Sequence, residues 1–578
     1  MTSDAVTEGA ASAADAGAAV PAWANHLRNR FISGASALFV LHGNVHDLVM
    51  WDGEYLPLRE FLARMLGRTK DTVIFYDVAS GLRFGDKVME APFRLAVNAR
   101  RLMEGRAELP LALPRDPYRL FPWIETFLLD TTQHGAFILE YAETVVPNGD
   151  VSFMGEQDRA MRVTLQRWAS DPGVLATDNI IILITEKLAD LDPMVRSAPR
   201  LTALEIPLPD ESARLAYTQW ALERGGKVGM VADRIAALTA GISNFQLENL
   251  FREARASDGR LTAEVIRSRK REFIEKECFG LVEFMDSEHD FSVVGGMVLK
   301  KAALRRVVAA IKRGDKERVP MGVLLVGPMG TGKSFLMEAF ANECGMTALK
   351  FKNFRDKWVG STEGNLEKIL NIVKALGNVL VVIDEGDRSI GGQGGGDNDG
   401  GVNSRVTARL KEFMSDTSNR GSILFAMMTN RPDKLDADMK RPGRFDLKLP
   451  FFPPQTDEAR VAITKALLKK NRIRHRVADY SAFGRLVDGY TGAEIEAVLL
   501  IATNFAEDDG RETINDADLA LAAEDFIPSR DGAMMRYMEL LAVFECSSRR
   551  ILPDRYKGLS SDDLNAEIRR QQHALLKP

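Results

Sequence analysis

The sequence predicts an α/β protein made of two parallel sheets in tandem, and three observations carry that expectation. The apolar run Val323-Leu-Leu-Val326 leads into Gly327-Pro-Met-Gly-Thr-Gly-Lys333-Ser334 and then into Phe335-Leu-Met-Glu-Ala-Phe340 at helical spacing. Strand, glycine-rich loop and helix in that order open a parallel α/β unit. Apolar strand-like runs also alternate with helical segments through both halves of the 578 residues. Finally, the halves share a layout: the interval from Glu140 to Thr185 equals that from Asp384 to Thr429, 45 positions.

Taken in chain order, residues 1–24 form an Ala/Gly-rich stretch without a positive n-region, expected as a disordered tail rather than a secretory signal. The first module is expected over 25–275. Its strands are Ala37-Leu-Phe-Val-Leu41, Ala136-Phe-Ile-Leu139 before Glu140-Tyr141, and Asn179-Ile-Ile-Ile-Leu-Ile-Thr185 before Glu186. Leu191-Asp192 with Arg196 and Arg200 follows, then a helical section from about 210. Residues 276–291 are expected to link the modules. The second module has its sheet over 292–453, a helical section over 454–525, and a C-terminal helical extension over 526–578. In that extension Met534-Met-Arg-Tyr-Met-Glu-Leu-Leu-Ala-Val-Phe544 is patterned as a buried helix, for packing or for an adaptor.

The totals bound the function. A chain this long exceeds one core, and 45% hydrophobic with 27% charged residues is ordinary for a soluble globular protein. A net charge of -5 supplies no global basic field, which argues against nucleic acid as the partner. The runs Arg267-Ser-Arg-Lys-Arg271 and Lys469-Lys-Asn-Arg-Ile-Arg-His-Arg476 read as solvated helix faces. Cys278, Cys344 and Cys546 are odd in number and far apart, which suits free thiols in a cytoplasmic setting. No apolar run approaches the roughly 20 residues that cross a bilayer.

The chemistry concentrates in the second half. Glycines at 327, 330 and 332 let backbone N–H groups turn toward an anion, and the following helix adds its positive end. Gly327, Pro328, Gly330, Thr331, Gly332, Lys333, Ser334 and Phe335 are the expected binding segment for a nucleoside triphosphate. Lys333 is placed to reach the β- and γ-phosphates and Ser334 to hold Mg²⁺. Asp384-Glu385 ends a buried strand, where the Asp suits the Mg²⁺ coordination sphere and the Glu an attacking water. Asn430 ends another strand, with an amide able to donate and accept. Arg441-Pro-Gly-Arg444-Phe-Asp446 braces two guanidinium groups on a corner, either as fingers onto a phosphoryl group or as partners of Asp446.

Residues 290–525 resemble the AAA family of AAA+ ATPases. The resemblance rests on Val294-Gly-Gly296, the phosphate loop, Asp384-Glu385, Asn403-Ser-Arg405, Thr429-Asn-Arg through Arg444-Phe-Asp446, and Gly489-Tyr-Thr-Gly-Ala-Glu-Ile495. It implies tandem P-loop modules, each a parallel sheet with flanking helices and a small helical lid, the first one degenerate. It further implies a homo-oligomeric ring, usually a hexamer, with ATP between subunits and Arg441 and Arg444 acting in trans. By the same resemblance, Asp384 and Glu385 are the Walker B pair and Asn430 is sensor 1. Val294 and Gly295 lie near the adenine, Gly492 and Ala493 close from the lid, and Trp358-Val359-Gly360 is a pore loop gripping a polypeptide. The expected activity is ATP hydrolysis driving remodelling of a protein substrate or adaptor-bound complex. A nucleotide-gated scaffold without threading, or more remotely a nucleic-acid motor, are the alternatives. No His-Glu-x-x-His metal motif occurs.

The first half departs where that chemistry lives. Its loop slot reads His42-Gly-Asn-Val-His46 with no Lys-Ser pair, and Glu140-Tyr141 and Glu186 replace Asp384-Glu385 and Asn430. The segment from about Tyr76 to Trp123 has no counterpart in the second half and is an expected partner surface.

Overall fold

The computed structural model describes residues 20–575, apart from 150–151, 153, 225–228, 257–260, 287–288, 353–361, 390–401 and 530, and without the side chains of 362–363, 388–389 and 402–406. The chain forms two compact units, residues 1–270 and 271–578.

The first unit opens on the helix Ala22–Ile32, so the expected tail ends earlier than residue 24. Ala24 and Leu27, one turn apart, are buried in the core and fix that start. Its strands are β1 (Leu38–Gly43), a hairpin of β2 (Leu48–Trp51) and β3 (Glu54–Pro57), then β4 (Thr72–Asp77), β5 (Gly81–Phe84), β6 (Gly135–Leu139), β7 (Ile180–Ile184) and β8 (Leu201–Ile206). The main sheet runs β5-β4-β6-β7-β1-β8. All pairings are parallel except β4 with β5. Successive residues alternate between two buried faces. Val40, Ile74, Phe137 and Leu183 join one core, and Phe39, Phe75, Ile138 and Ile182 the other.

The second unit repeats this order. Its strands are β9 (Val282–Phe284), β10 (Gly322–Val326), β11 (Thr347–Phe351), β12 (Val379–Ile383), β13 (Ile423–Thr429) and β14 (Leu447–Pro450), arranged β14-β10-β13-β12-β11-β9. Again one edge pairing, β11 with β9, is antiparallel. Thus part of the stretch 276–291 expected as a linker is an edge strand, with Val282 opposite Phe351. The antiparallel edge follows its neighbour in sequence in the first sheet and precedes it in the second.

Each sheet is followed by four helices: Glu211–Glu223, Ala232–Leu238, Asn244–Ala256 and Ala263–Glu277 after the first, and Asp457–Lys470, Tyr480–Leu486, Gly492–Asp508 and Asp516–Asp525 after the second. Between β4 and β6 the chain adds β5 and the helices Glu90–Met103 and Pro117–Leu128, where the described residues of the second unit between β11 and β12 form the helix Thr362–Leu376. In the C-terminal extension, Gly532–Glu545 buries Tyr537, Leu540 and Ala542, as its pattern predicts, within the second unit.

Candidate nucleotide site

The parallel register brings the expected residues to one sheet edge. Val326 lies opposite Thr429 and Ile383 opposite Met427, so the loop after β10, the Asp384-Glu385 corner and Asn430 emerge side by side at the strands' carboxyl ends. In open parallel sheets, ligands bind at this edge where the strand order reverses. A cavity of about 910 Å³ opens there. It is lined by Gly330, Thr331, Gly332, Lys333, Ser334 and Phe335 of the loop, and by Asp384, Glu385 and Asn430. Val294, Gly295, Gly492 and Ala493 also line it. Gly327 and Pro328 stand behind the lining and act through their carbonyls.

Lys333 is the centre of the polar end. Its Nζ donates to the carbonyls of Gly327 (2.8 Å) and Pro328 (2.7 Å) and to Asn430 Oδ1 (2.7 Å). All three ammonium hydrogens are therefore satisfied, two by the loop and one by Asn430. Burial draws this lysine down to about 8, against the opposing pull of Asp384 and Asp387. Thr331 Oγ1 donates to Pro328 O (2.8 Å) and fixes the loop's far side.

Asp384 Oδ2 accepts from Lys350 Nζ at 3.2 Å, and its Oδ1 accepts the Glu385 N–H at 3.0 Å. Glu385 sits in the left-handed region (φ 47°), which turns its carboxylate away from the strand direction. Thr429 Oγ1 donates to Asp387 Oδ1 (2.7 Å) and so pins the two strand ends together. Ser334 is exposed to the cavity, and with Asp384 it offers the hard oxygen donors that suit Mg²⁺.

The lid touches the loop directly. Ala493 N–H donates to Gly330 O (3.1 Å), and a Cβ on Gly330 (φ 71°) would stand 2.9 Å from Thr491 Oγ1. Thr491 and Glu494 form a capping box that orients this helix start. Gly295 lies against the helix Asp457–Lys470, where a Cβ would come within 2.5 Å of Ile463 Cα.

Arg441 and Arg444 do not line the cavity. Arg441 is 73% exposed and pairs with Asp438 at 3.0 Å. Arg444 donates to Ser415 Oγ (2.9 Å) and Asp438 O (2.5 Å) of its own chain. Asp446 takes neither arginine at hydrogen-bond distance but accepts the N–H groups of Met321 (2.8 Å) and Gly443 (2.6 Å). Trp358, Val359 and Gly360 lie outside the described residues, and the side chains of Asn403, Ser404 and Arg405 are likewise not described. Sequence reasoning missed Lys350, whose one signal is a charge inside the apolar strand Thr347-Ala-Leu-Lys-Phe351. It also missed the Lys470–Glu496 pair (3.0 Å) on the lid side.

The corresponding segments of the first unit are tied down by its own side chains. Asp47, only 5% exposed, accepts from Asn44 Nδ2 (2.7 Å), Leu48 N–H (2.8 Å) and Phe245 N–H (2.8 Å), the last at the start of the helix Asn244–Ala256. Burial lowers His42 to about 4 and keeps it neutral. Glu140 pairs with Arg83 (2.6 Å), which also holds Asp77 (2.5 Å). Tyr141 keeps the left-handed turn (φ 53°) that Glu385 shows in the second unit.

Three family models match the chain. Residues 12–207 match the AAA+ chaperone N-terminal Rossmann-like domain, 212–279 the AAA+ chaperone second helical domain, and 323–452 the ATPase family associated with various cellular activities (AAA). Among curated relatives, the Cell division cycle protein 48 homolog of Archaeoglobus fulgidus is 28% identical over 60% of this chain and 51% of its own length. The ATP-dependent zinc metalloprotease FtsH 2 of Symbiobacterium thermophilum is 31% identical over 43% and 44%, and Protein SAV of Sulfolobus acidocaldarius 35% over 32% and 24%. The chain spans about half or less of the length of these relatives. No described helix is long and apolar enough to cross a membrane. The chain belongs to the AAA+ ATPases, with an AAA ATPase domain carrying the complete phosphate loop behind the Rossmann-like and helical domains of an AAA+ chaperone.

Proposed function

We propose that this chain is the subunit of a cytoplasmic homo-oligomeric ring, a hexamer, that hydrolyses ATP in its second module to remodel a protein substrate. The observation that carries this reading is the convergence of Lys333, Ser334, Asp384, Glu385 and Asn430 on one cavity that the lid touches through Ala493. On binding, Lys333 exchanges its two loop carbonyls for β- and γ-phosphate oxygens, while Asn430 stays within reach of the γ-phosphate. Ser334 and Asp384 hold Mg²⁺, which supplies charge neutralisation to the phosphates. Glu385, turned out of the strand by its backbone, orients the attacking water and takes its proton. Arg441, exposed on its corner, and Arg444 complete a neighbouring subunit's site rather than their own.

The first module lacks these groups. Its slot holds Asp47 and the Asp77–Arg83–Glu140 cluster instead, so its part is architectural. That favours one second reading: a nucleotide-gated scaffold that assembles without threading. Trp358→Ala separates the two. Threading predicts loss of substrate processing with ATPase and assembly retained, and unchanged processing would overturn it. Capture of bound proteins by Glu385→Gln in ATP identifies the substrate.

A further inference from the structure

Part of the cavity's lining comes from beyond the AAA domain and its lid. Ile551, Leu552 and Pro553, some two hundred positions after Lys333, line the same space, and so does Lys300. Phe452, which stacks on Tyr556 of the same segment and follows the Phe451 that Lys300 overlies, joins these three, and with Val294, Pro453 and Ile463 they supply an apolar end distinct from the loop and strand ends that carry Lys333, Asp384 and Glu385. A flat base belongs at the apolar end and a triphosphate at the charged end. Lys300 holds its Nζ 5.3 Å from the Phe451 ring centre, with no carboxylate partner among the described residues. Burial brings it down to about 8, which still leaves it charged at neutral pH. An ammonium in this setting has hydrogens to give and no hydrogen-bond acceptor among the described residues.

The segment carrying the wall is firmly seated. Glu545, 8% exposed, bridges Lys440 (2.5 Å) and Lys448 (3.0 Å). Tyr556 stacks on Phe452 with ring centres 5.2 Å apart and donates to Glu539 (2.7 Å). Tyr537 OH donates to Asp433 (3.2 Å), which pairs with Arg431 directly after Asn430. The extension therefore spans from the cavity wall to the residues flanking Asn430 and Arg441.

We propose that the C-terminal extension completes the nucleoside subsite: Ile551, Leu552 and Pro553 form the wall against which a purine base lies, and Lys300 donates to the base or its ribose. This deepens the nucleotide-site reading above and rests on it. By linkage, nucleotide and seated extension stabilise one another equally.

The test uses the full chain. Affinities for ATP and for inorganic tripolyphosphate, which engages the phosphate end alone, are measured for wild type, Leu552→Ala, Lys300→Met and Lys333→Ala. Leu552→Ala is expected to weaken ATP roughly tenfold, and Lys300→Met about fivefold, with tripolyphosphate changed less than about twofold. ATP should also slow hydrogen exchange over 546–556 in wild type. If Leu552→Ala lowers the melting temperature of the nucleotide-free protein, Lys300→Met, facing open cavity, carries the test. Wild-type ATP affinity in both variants, or equal losses for ATP and tripolyphosphate, overturns the proposal. ATP binding that survives Lys333→Ala removes the nucleotide-site reading itself, a result distinguishable from the former.

Discussion

Raising the pH from 7 to 9 is expected to weaken ATP binding about tenfold through Lys333 alone. In the empty site burial holds this lysine near 8, well below a free lysine. A triphosphate in contact favours the charged form, so the lysine's pKa in the complex lies above that of the empty site. Below about 8 the empty site is already charged, and affinity is independent of pH. Above it, binding must take up a proton, and Kd rises about tenfold per pH unit until the complex itself titrates. From pH 7 to 9 the charged fraction falls from about ten-elevenths to about one-eleventh, a cost of about 1.4 kcal/mol. The phosphate's last proton leaves near pH 6, so the ligand's charge is constant over this range. Lys300 titrates in the same window, and Lys300→Met isolates the Lys333 contribution. Calorimetry on Glu385→Gln/Lys300→Met with Mg-ATP, in two buffers of different ionisation enthalpy, reads both Kd and proton uptake. A flat Kd with no proton uptake refutes the argument that a buried Lys333 meets the phosphates.

Five further outcomes follow from the geometry. Glu385→Gln should bind ATP as wild type does while turnover falls by about 10²-fold or more, read by steady-state phosphate release. Lys333→Ala should leave the whole chain without bound nucleotide, because the first slot offers no lysine; equilibrium dialysis finding a filled site would contradict this. Arg441→Ala should lose turnover with unchanged melting temperature. Arg444→Ala should lose turnover and also about 1 kcal/mol of stability, since it breaks the bonds to Ser415 and Asp438; mixing it with Lys333→Ala should restore some turnover, and confirmed mixed rings without rescue would count against a trans role. Gly295→Val should weaken ATP binding by forcing the helix Asp457–Lys470 off its seat, where even a Cβ lies 2.5 Å from Ile463 Cα.

The strands that build the site were legible because they are wholly apolar runs ending in polar residues. Val323–Val326, Val379–Ile383 and Ile423–Thr429 are all buried, and Lys333, Asp384, Glu385 and Asn430 follow from their ends. The repeated interval also announced two sheets of shared layout, though not the order of their strands. Non-local contacts were not legible. Val282–Phe284 is three residues long, and only its partner β11 makes it a strand. Ile551 to Pro553 have no periodicity that could announce a cavity wall. Arg444 illustrates a different limit: sequence offers a guanidinium on a corner, and geometry ties part of it to Ser415 and Asp438 of its own chain.

Asp47 gives the first module its distinctive consequence. Its carboxylate occupies the start of the helix Asn244–Ala256, where an anion is welcome, and it is covalently part of the chain. An acceptor tethered in this way never dissociates, so the contact between the first loop slot and this helix start needs no ligand to form. In the ring proposed above, the first module is then a fixed element, and the second is where ATP enters.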